Sequence, residues 1–344
     1  MKIISQLLVC TILLVSATNH AFSQSSKTNK VSTFIDTSFL VSINGVEQYL
    51  EIKGASTKNP VLLFIHGGPF WPMTPFIRTY NQNLIKDFIV VSWDQRNCGK
   101  SKTDTAAKLT LDLFVEDAHQ VTQVLQKFLH TPKILVAAHS WGSLIGIKLI
   151  KRYPDDYSAY IGMGQIVNQI KSNGVALKHF RQQAEIARDT AILHALDSLS
   201  FSEQNGFKNG LDDCIKFNNI VDKYSFSGFD TTKPFPLGQY ADYTLDETLK
   251  RSLVGADEKT SAAIYKMLCT DLSADTVFNV PMFFCVGKHD YVTSFELVQQ
   301  YFSTIKSPKK ELFWFANSGH APNWEEPNLF YERLLEINKK LENK

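Results

Sequence analysis

The sequence has no long run of basic residues, and its 36 Lys and Arg nearly balance its 34 Asp and Glu, for a net charge of +2. A nearly neutral chain of this kind lacks the electrostatic footprint of a nucleic-acid-binding protein. No CxxC motif or His-rich cluster occurs, so no structural zinc site is indicated. The 344 residues are 44% hydrophobic and 20% charged, which excludes disordered, collagen-like and coiled-coil proteins and predicts a globular chain with a sizeable core.

Long apolar stretches are also absent, except at the N-terminus. Lys2 is followed by an apolar stretch over residues 3–15, which is short for a bilayer span. Ala21 and Ser23 are small residues at the −3 and −1 positions of a signal-peptide cleavage site. We therefore expect residues 1–23 to be a signal peptide that is removed, leaving a periplasmic or secreted protein with no stable membrane span. A buried N-terminal helix is the alternative.

Cysteines are few, and four would remain after cleavage: Cys98, Cys214, Cys269 and Cys285. Export permits disulfides, but the spacings are wide and a chain of this size does not need them for stability. Cys285 lies in an apolar run and is expected to be a buried thiol. Pairing of Cys214 with Cys269 stays open.

The pattern of the chain after its N-terminal region predicts an α/β fold. Asn44-Gly45 between two alternating segments predicts an antiparallel hairpin. Unbroken apolar runs then follow at 61–65, 88–91, 134–138 and 282–286. Such runs are typical of strands that helices cover on both faces of a parallel sheet, and helical periodicity separates them. We expect a doubly wound, mostly parallel sheet flanked by helices.

One long segment interrupts this alternation. Residues 166–277 are richer in polar and turn residues and contain the helical segments 175–198 and 256–269. The chain then returns to the sheet. We expect residues 24–165 and 278–344 to form the core and residues 166–277 to form a helical cap inserted before the penultimate strand.

Ser140 lies where a buried strand passes into a helix, in Ala138-His139-Ser140-Trp141-Gly142. A nucleophile elbow needs this context, because small residues two before and two after the serine permit the sharp turn. A serine that merely caps a helix is the alternative. As the first helical residue, Trp141 would direct its backbone N–H toward an oxyanion formed beside Ser140.

Three further features support a catalytic site. Gly68, in His66-Gly67-Gly68-Pro69 after the first buried strand, is the candidate second oxyanion donor. Asp290 and His320 follow later strands, so that the order Ser140, Asp290, His320 is that of a nucleophile, acid and base triad. His289 and His139 are rival bases by residue type, and a packing role is expected for His139.

These motifs resemble the proline iminopeptidase-like branch of the α/β-hydrolase superfamily. The resemblance covers about residues 40–165 and 278–340, on His66-Gly67-Gly68-Pro69, Asp94-Gln95-Arg96-Asn97-Cys98-Gly99-Lys100-Ser101, Ser140-Trp141-Gly142-Ser143, Gly287-Lys288-His289-Asp290 and Gly319-His320. It implies an eight-stranded, mostly parallel sheet with a helical cap, a serine aminopeptidase activity, and no metal or organic cofactor. Asp94 and Arg96 are expected to brace the loop below the site.

The sequence departs from this family in two places. Phe70-Trp71 follow the HGGP motif where the family has another glycine, and Ala138 replaces the usual glycine at the start of the elbow. The two aromatic residues should narrow or reshape the acyl side of the pocket. True proline iminopeptidases bind the substrate amine with cap carboxylates, and the candidates here are Glu185, Glu203, Asp212, Asp213 and Asp222.

We therefore predict a serine hydrolase that forms an acyl-enzyme on Ser140, with His320 as base, Asp290 as its orienting acid, and Gly68 and Trp141 as oxyanion donors. The first expectation is an aminopeptidase that releases N-terminal residues from short peptides. The alternatives are an esterase, amidase or lactonase acting on a small molecule, and a non-catalytic ligand-binding protein of the same fold. The sequence assigns neither the true substrate nor the oligomeric state.

Overall fold

The structure is a computed structural model that describes residues 33–224, 236–244 and 257–343. The predicted signal peptide, residues 1–23, lies outside these ranges and stays a prediction.

An eight-stranded sheet forms the centre of the fold, in the order β1-β2-β4-β3-β5-β6-β9-β10. Its strands are β1 (Ile35–Ile43), β2 (Val46–Gly54), β3 (Val61–Ile65), β4 (Ile89–Asp94), β5 (Ile134–His139), β6 (Tyr157–Met163), β9 (Met282–Gly287) and β10 (Lys310–Phe315), and β7 (Phe201–Ser202) and β8 (Gly206–Phe207) form a separate two-stranded sheet. Strand β2 pairs antiparallel with β1 and β4, whereas the pairs from β4 to β10 are parallel. The predicted mostly parallel sheet is confirmed.

Helices cover both faces of this sheet. In the described residues they are α1 (Thr74–Tyr80), α2 (Leu111–Leu129), α3 (Trp141–Arg152), α4 (Gln169–Ala187), α5 (Thr190–Asp197), α6 (Leu211–Tyr224), α7 (Glu258–Leu268), α8 (Phe295–Thr304), α9 (Pro322–Glu325) and α10 (Pro327–Glu342). Two large hydrophobic clusters lie on opposite faces of the sheet, because successive strand residues point to opposite sides. Strands β3 and β5 are therefore buried along their whole length.

The N-terminal hairpin forms where the sequence predicts it. Ile43 pairs with Val46, and the two residues between them, Asn44 and Gly45, have φ of 45° and 80°. Positive φ at both central residues matches the twist of the flanking strands, which is why Asn-Gly is favoured at this turn.

Strand β6 was not predicted from the sequence, which has no unbroken apolar run over these residues. Its residues include Tyr157 and Tyr160, whose rings are buried while their hydroxyls remain hydrogen-bonded. The Tyr160 hydroxyl donates to Gln165 Oε1 at 2.7 Å, and that of Tyr157 lies 3.0 Å from Thr122 Oγ1. The aromatic rings fill the core, so the strand is buried without a purely apolar sequence.

Between β6 and β9 the chain leaves the sheet and forms helices α4 to α7 with the short β7–β8 hairpin. These helices share a hydrophobic cluster of their own, centred on Phe180 and Phe217. The helix predicted over 175–198 is two helices, because Asp189 caps the second through the Ile192 N–H. The cap boundaries 166–277 stay a prediction. Within the described ranges, no helix has the length and apolar character needed to cross a membrane.

Candidate active site

Ser140 occupies the sharp turn between β5 and α3, with φ 50° and ψ −121°. Non-glycine residues rarely adopt this region, and the turn persists because its surroundings are closely packed. A Cβ at Gly142 would lie 2.2 Å from the carbonyl oxygen of Ile65, so only glycine fits there. Strand β3 and helix α3 thus approach closely enough to present Ser140 at the carboxyl end of the sheet.

Asp290 and His320 lie on loops that follow β9 and β10, and the structure brings their side chains together. The two carboxylate oxygens of Asp290 are 3.2 and 3.1 Å from His320 Nδ1. Asp290 is buried, while the His320 side chain keeps 22% of its surface exposed. The pair therefore has a buried acid and an accessible imidazole.

The hydrogen bonds around Asp290 indicate which ring nitrogen of His320 carries the proton. Its carboxylate accepts bonds from the Val292 N–H at 3.0 Å and from the N–H and hydroxyl of Thr293 at 2.9 and 2.7 Å. Burial acts to raise the pKa of Asp290, but His320 and the Thr293 donors outweigh it and hold the pKa below its usual value. An ionised carboxylate needs a donor at Nδ1, which leaves Nε2 of His320 as the unprotonated nitrogen.

The end of β6 lies against both Ser140 and His320. The Ser140 N–H donates to the Met163 carbonyl at 3.0 Å. Gly164, the next residue, has a φ of 50°, and a Cβ there would lie 2.7 Å from Cε1 of His320. A side chain at this position would displace the imidazole, so a glycine is required between the two.

The HGGP loop also lies beside Ser140. A Cβ at Gly67 would be 3.1 Å from the Ser140 Cβ, and Gly68 has a φ of 123° that favours glycine. Gly68 and Ser140 line the same cavity, and Trp141 begins α3 immediately after the serine. The backbone of both candidate oxyanion donors is therefore next to Ser140.

Gln95 connects the two segments that carry these donors. Its side chain donates to the His66 carbonyl at 2.9 Å and accepts from Trp141 Nε1 at 3.0 Å, while its backbone N–H donates to His66 Nε2 at 3.1 Å. Burial lowers the pKa of His66 to about 4, so the ring is neutral and its Nδ1–H donates to Gly67. The sequence showed Gln95 only as part of a motif.

The neighbouring Asp94 joins three separate segments. Its carboxylate accepts from the Thr74 hydroxyl at 3.0 Å, the Lys100 N–H at 2.9 Å and the Tyr243 hydroxyl at 2.6 Å. Burial raises the pKa of Asp94 to about 6, although these three hydrogen bonds act to lower it. Segment 236–244 is thereby attached to the core close to the start of α1.

Arg96 also has a structural position. It is buried and forms two bonds to Asp117, with Nε and Nη2 as donors, at 2.5 and 2.8 Å. Asp117 also accepts from Asn44 and Gln48, which belong to the N-terminal hairpin. The expectation that Asp94 and Arg96 brace the loop agrees with these contacts.

His139 packs instead of facing Ser140. Its ring lies 4.9 Å from the ring of Trp324, and burial lowers its pKa to about 3. His289, the other rival base, is exposed on the turn before Asp290.

A cavity of about 570 Å³ opens at Ser140, within the range of small-molecule sites, roughly 300–1,000 Å³. Phe70 and Trp71, which follow the HGGP motif, line its wall, and their narrowing of the acyl side stays a prediction. Apart from Gly68 and Pro69, the remaining described lining residues are mostly apolar or amide side chains: Ile166, Gln169, Leu211, Cys214, Ile215, Asn218, Ile264, Leu268 and Val292. Among the lining residues that the structure describes, none carries a charge.

Four of the five cap carboxylates considered from the sequence lie outside the described lining of this cavity. Glu185 is exposed, and Glu203 is exposed and paired with a lysine. Asp212 lines a separate crevice, and Asp213 is buried, where it accepts bonds from the backbone and side chain of one asparagine. The side chain of Asp222 lies outside the described part of the chain.

The cysteines Cys98, Cys214, Cys269 and Cys285 are free thiols, and Cys285 is buried as predicted. Burial raises the pKa of Cys214 to about 12, so this thiol of the cavity wall stays protonated. Within the described ranges, no group of three or more His, Cys, Asp or Glu side chains could hold a metal ion.

A sheet of this order, with a strained serine after its central strand and an Asp–His pair after its last two strands, is the architecture of the α/β hydrolases. The chain belongs to this family, because residues 62–333 match the family model described as alpha/beta hydrolase family.

Two relatives by sequence and one solved structure show which members of the family the chain is similar to. The chain is 30% identical to probable aminopeptidase YbaC of Bacillus subtilis (strain 168) over 86% of this chain and 93% of that protein. It is 20% identical to a proline iminopeptidase of Thermoplasma volcanium over 87% and 96% of the two chains. The crystal structure of a proline iminopeptidase from Mycobacterium smegmatis superposes with a TM-score of 0.62 at 16% identity, over 89% of this chain and 98% of that one.

Proposed function

We propose that the protein is a serine hydrolase of the aminopeptidase type that releases N-terminal residues from short peptides. The observations that carry the chemistry are the strained turn at Ser140, which opens on the cavity, and the Asp290–His320 pair, whose loop is hydrogen-bonded to His139, the residue before Ser140. The similarity to a probable aminopeptidase and a proline iminopeptidase supports the substrate class.

In the proposed reaction, Oγ of Ser140 bonds to the substrate carbonyl carbon while its proton passes to Nε2 of His320. The carbonyl electron pair moves to oxygen, where the N–H groups of Gly68 and Trp141 hold it. The C–N bond then breaks, and the leaving amine takes the proton from His320. Water attacks the acyl-enzyme with His320 as base again, which releases the acid and returns the proton to Ser140.

Initial rates on proline and alanine p-nitroanilides would test this proposal, with wild type and Ser140→Ala in parallel. We expect anilide cleavage by wild type and a loss on the order of 10⁶-fold in kcat for the variant. Retention of near-wild-type rates in Ser140→Ala would show that the serine is not the nucleophile. Labelling by a fluorophosphonate provides a second measurement. It requires an activated serine, and it does not depend on knowing the substrate.

The uncharged cavity favours a second candidate, an esterase, amidase or lactonase acting on a small apolar molecule. A substrate ammonium would lose its hydration there without gaining a carboxylate from any described lining residue. The discriminating comparison is alanine p-nitroanilide against propionyl p-nitroanilide, which differ only by the amine. Faster cleavage of the alanine compound favours the aminopeptidase, and faster cleavage of the propionyl compound favours the second candidate.

A further inference from the structure

The loop that carries His320 is held by two adjacent carboxylates from helix α9 and the residue after it. Glu325 Oε2 accepts a hydrogen bond from the Gly319 N–H at 2.6 Å. Glu326 Oε2 accepts from the Ser318 hydroxyl at 2.7 Å and from the Asn317 N–H at 3.0 Å. The two residues therefore bind successive positions of the loop, and Glu325 holds the N–H of Gly319, the residue directly before His320.

Glu325 differs from Glu326 in its surroundings. Burial raises the pKa of Glu325 to about 7, while the Gly319 N–H and the positive charge of a protonated His320 act in the opposite direction. The carboxyl therefore ionises in the pH range in which an ordinary histidine also changes its charge. The ionisation of the Glu325 carboxyl therefore depends on the charge of His320, so the two groups interact electrostatically.

Among the described residues, the other titratable groups that contact this loop include Asp290, which lies against Nδ1 of His320, and the neutral His139, which lies against the His320 carbonyl. Lys288 and His289 are exposed on the turn that packs against Ser318. Glu325 is thus the second carboxylate, after Asp290, that acts on His320.

We propose that Glu325 is a positioning residue for His320: its carboxylate fixes the Gly319 peptide and adds a second negative charge that favours the imidazolium formed during the reaction. This inference rests on the proposed function, in which His320 accepts the serine proton. Asp290 orients the ring through Nδ1, whereas Glu325 acts on the backbone that carries the ring. Two carboxylates on one histidine would raise the proton affinity of the base more than Asp290 alone.

The test compares the pH dependence of kcat/KM in wild type, Glu325→Gln and Glu325→Asp. Glutamine keeps an oxygen for the Gly319 N–H but removes the charge, so the acidic limb should move to lower pH by about half a unit or more and kcat should fall about 10-fold. Aspartate keeps the charge at a shorter reach, so it should retain more of the wild-type pH profile than glutamine while kcat falls. Glu332→Gln, which removes an exposed carboxylate from α10, is the matched control and should match wild type.

NMR titration of the His320 ring, assigned with a His320→Gln variant, measures the same effect without turnover. A midpoint that moves to lower pH in Glu325→Gln supports the inference even if no tested substrate is cleaved, so failure of the proposed function would be distinguishable. Superimposable titrations and pH profiles in wild type and folded Glu325→Gln would overturn it. A fall in kcat with unchanged pH dependence in both variants would also overturn the electrostatic role.

Discussion

The ring of His139 donates a hydrogen bond from Nε2 to the backbone carbonyl of His320, with 3.0 Å between the two atoms. His139 directly precedes Ser140, so the bond connects the turn that carries the candidate nucleophile to the loop that carries the candidate base. Burial lowers the pKa of His139 to about 3, so the ring is neutral, and because a carbonyl can only accept, its proton is assigned to Nε2. The two loops are therefore positioned relative to each other by a residue that does not itself need to react.

Replacing this histidine should affect both stability and rate. His139→Phe keeps a planar ring but leaves the His320 carbonyl without its donor, so we expect a loss of about 1–2 kcal/mol in unfolding free energy. The loop that carries His320 would lose this hydrogen bond and be less precisely positioned, so kcat/KM should fall about 10-fold. Urea denaturation and steady-state kinetics measure the two effects. His119→Phe, a substitution on α2 where the ring stacks on Tyr153, is the control, and equal behaviour of the two variants would contradict the prediction.

Gly142 and Gly174 should respond to alanine in opposite ways. At Gly142 the new Cβ would lie 2.2 Å from a backbone oxygen that cannot move away, so a loss of about 3 kcal/mol or more in stability is expected. At Gly174, within α4, the closest atom is 3.5 Å away, and the variant should gain about 0.5–1 kcal/mol from helix propensity. Thermal denaturation of the two alanine variants measures these changes. A Gly142→Ala protein as stable as wild type would refute the close approach of β3 to α3.

The buried Arg96–Asp117 pair should show strong coupling. Asp117→Leu removes both short bonds to the buried Arg96 guanidinium and leaves it only Asp104, at 3.8 Å, which is expected to cost about 3–5 kcal/mol. In Arg96→Met/Asp117→Leu both charges are absent, so the double variant should lose less than the sum of the single losses. A double-mutant cycle by chemical denaturation measures this coupling, and additive losses would show that the pair does not interact in the folded state.

His66 should make stability pH-dependent below neutral. Its folded pKa of about 4 lies below the unfolded value of 6.5, so the unfolded chain binds more protons between these values. The contribution is complete above pH 6.5 and is lost as the pH falls toward 4, by about 2 kcal/mol at pH 5. His66→Gln removes this contribution.

The raised pKa values of Asp94 and Glu325 act in the opposite direction over part of the same range. The prediction therefore concerns the difference between wild type and His66→Gln. That difference, measured by urea denaturation at pH 5 and pH 7.5, should shrink at pH 5. An equal difference at both pH values would mean that His66 is not buried in neutral form.

Several elements of the fold follow from local sequence. The unbroken apolar run at 61–65 can be satisfied only by burial on both faces, and Asn44-Gly45 supplies the two positive φ values that its turn requires. Strand β6 could not be found in this way, because two of its buried residues are tyrosines, and the partner of the Tyr157 hydroxyl, Thr122, lies 35 residues away in the sequence. A hydrophobic pattern in the sequence indicates the average burial of a strand, and it does not indicate an individual hydrogen bond of this kind.

For the site, the candidate residues at the strand ends could be identified from the amino-acid sequence: Ser140, Asp290 and His320, with the glycines of the HGGP loop. The surroundings of these residues follow from the way the chain packs. This packing brought Asp290 to His320, connected His66 to Trp141 through Gln95, and placed Glu325 on the His320 loop. It also left the described wall of the Ser140 cavity without a charged side chain. These relationships join residues from separate strands and loops, and the distances between such residues are set by the packing of the whole sheet and its helices, not by spacing along the chain.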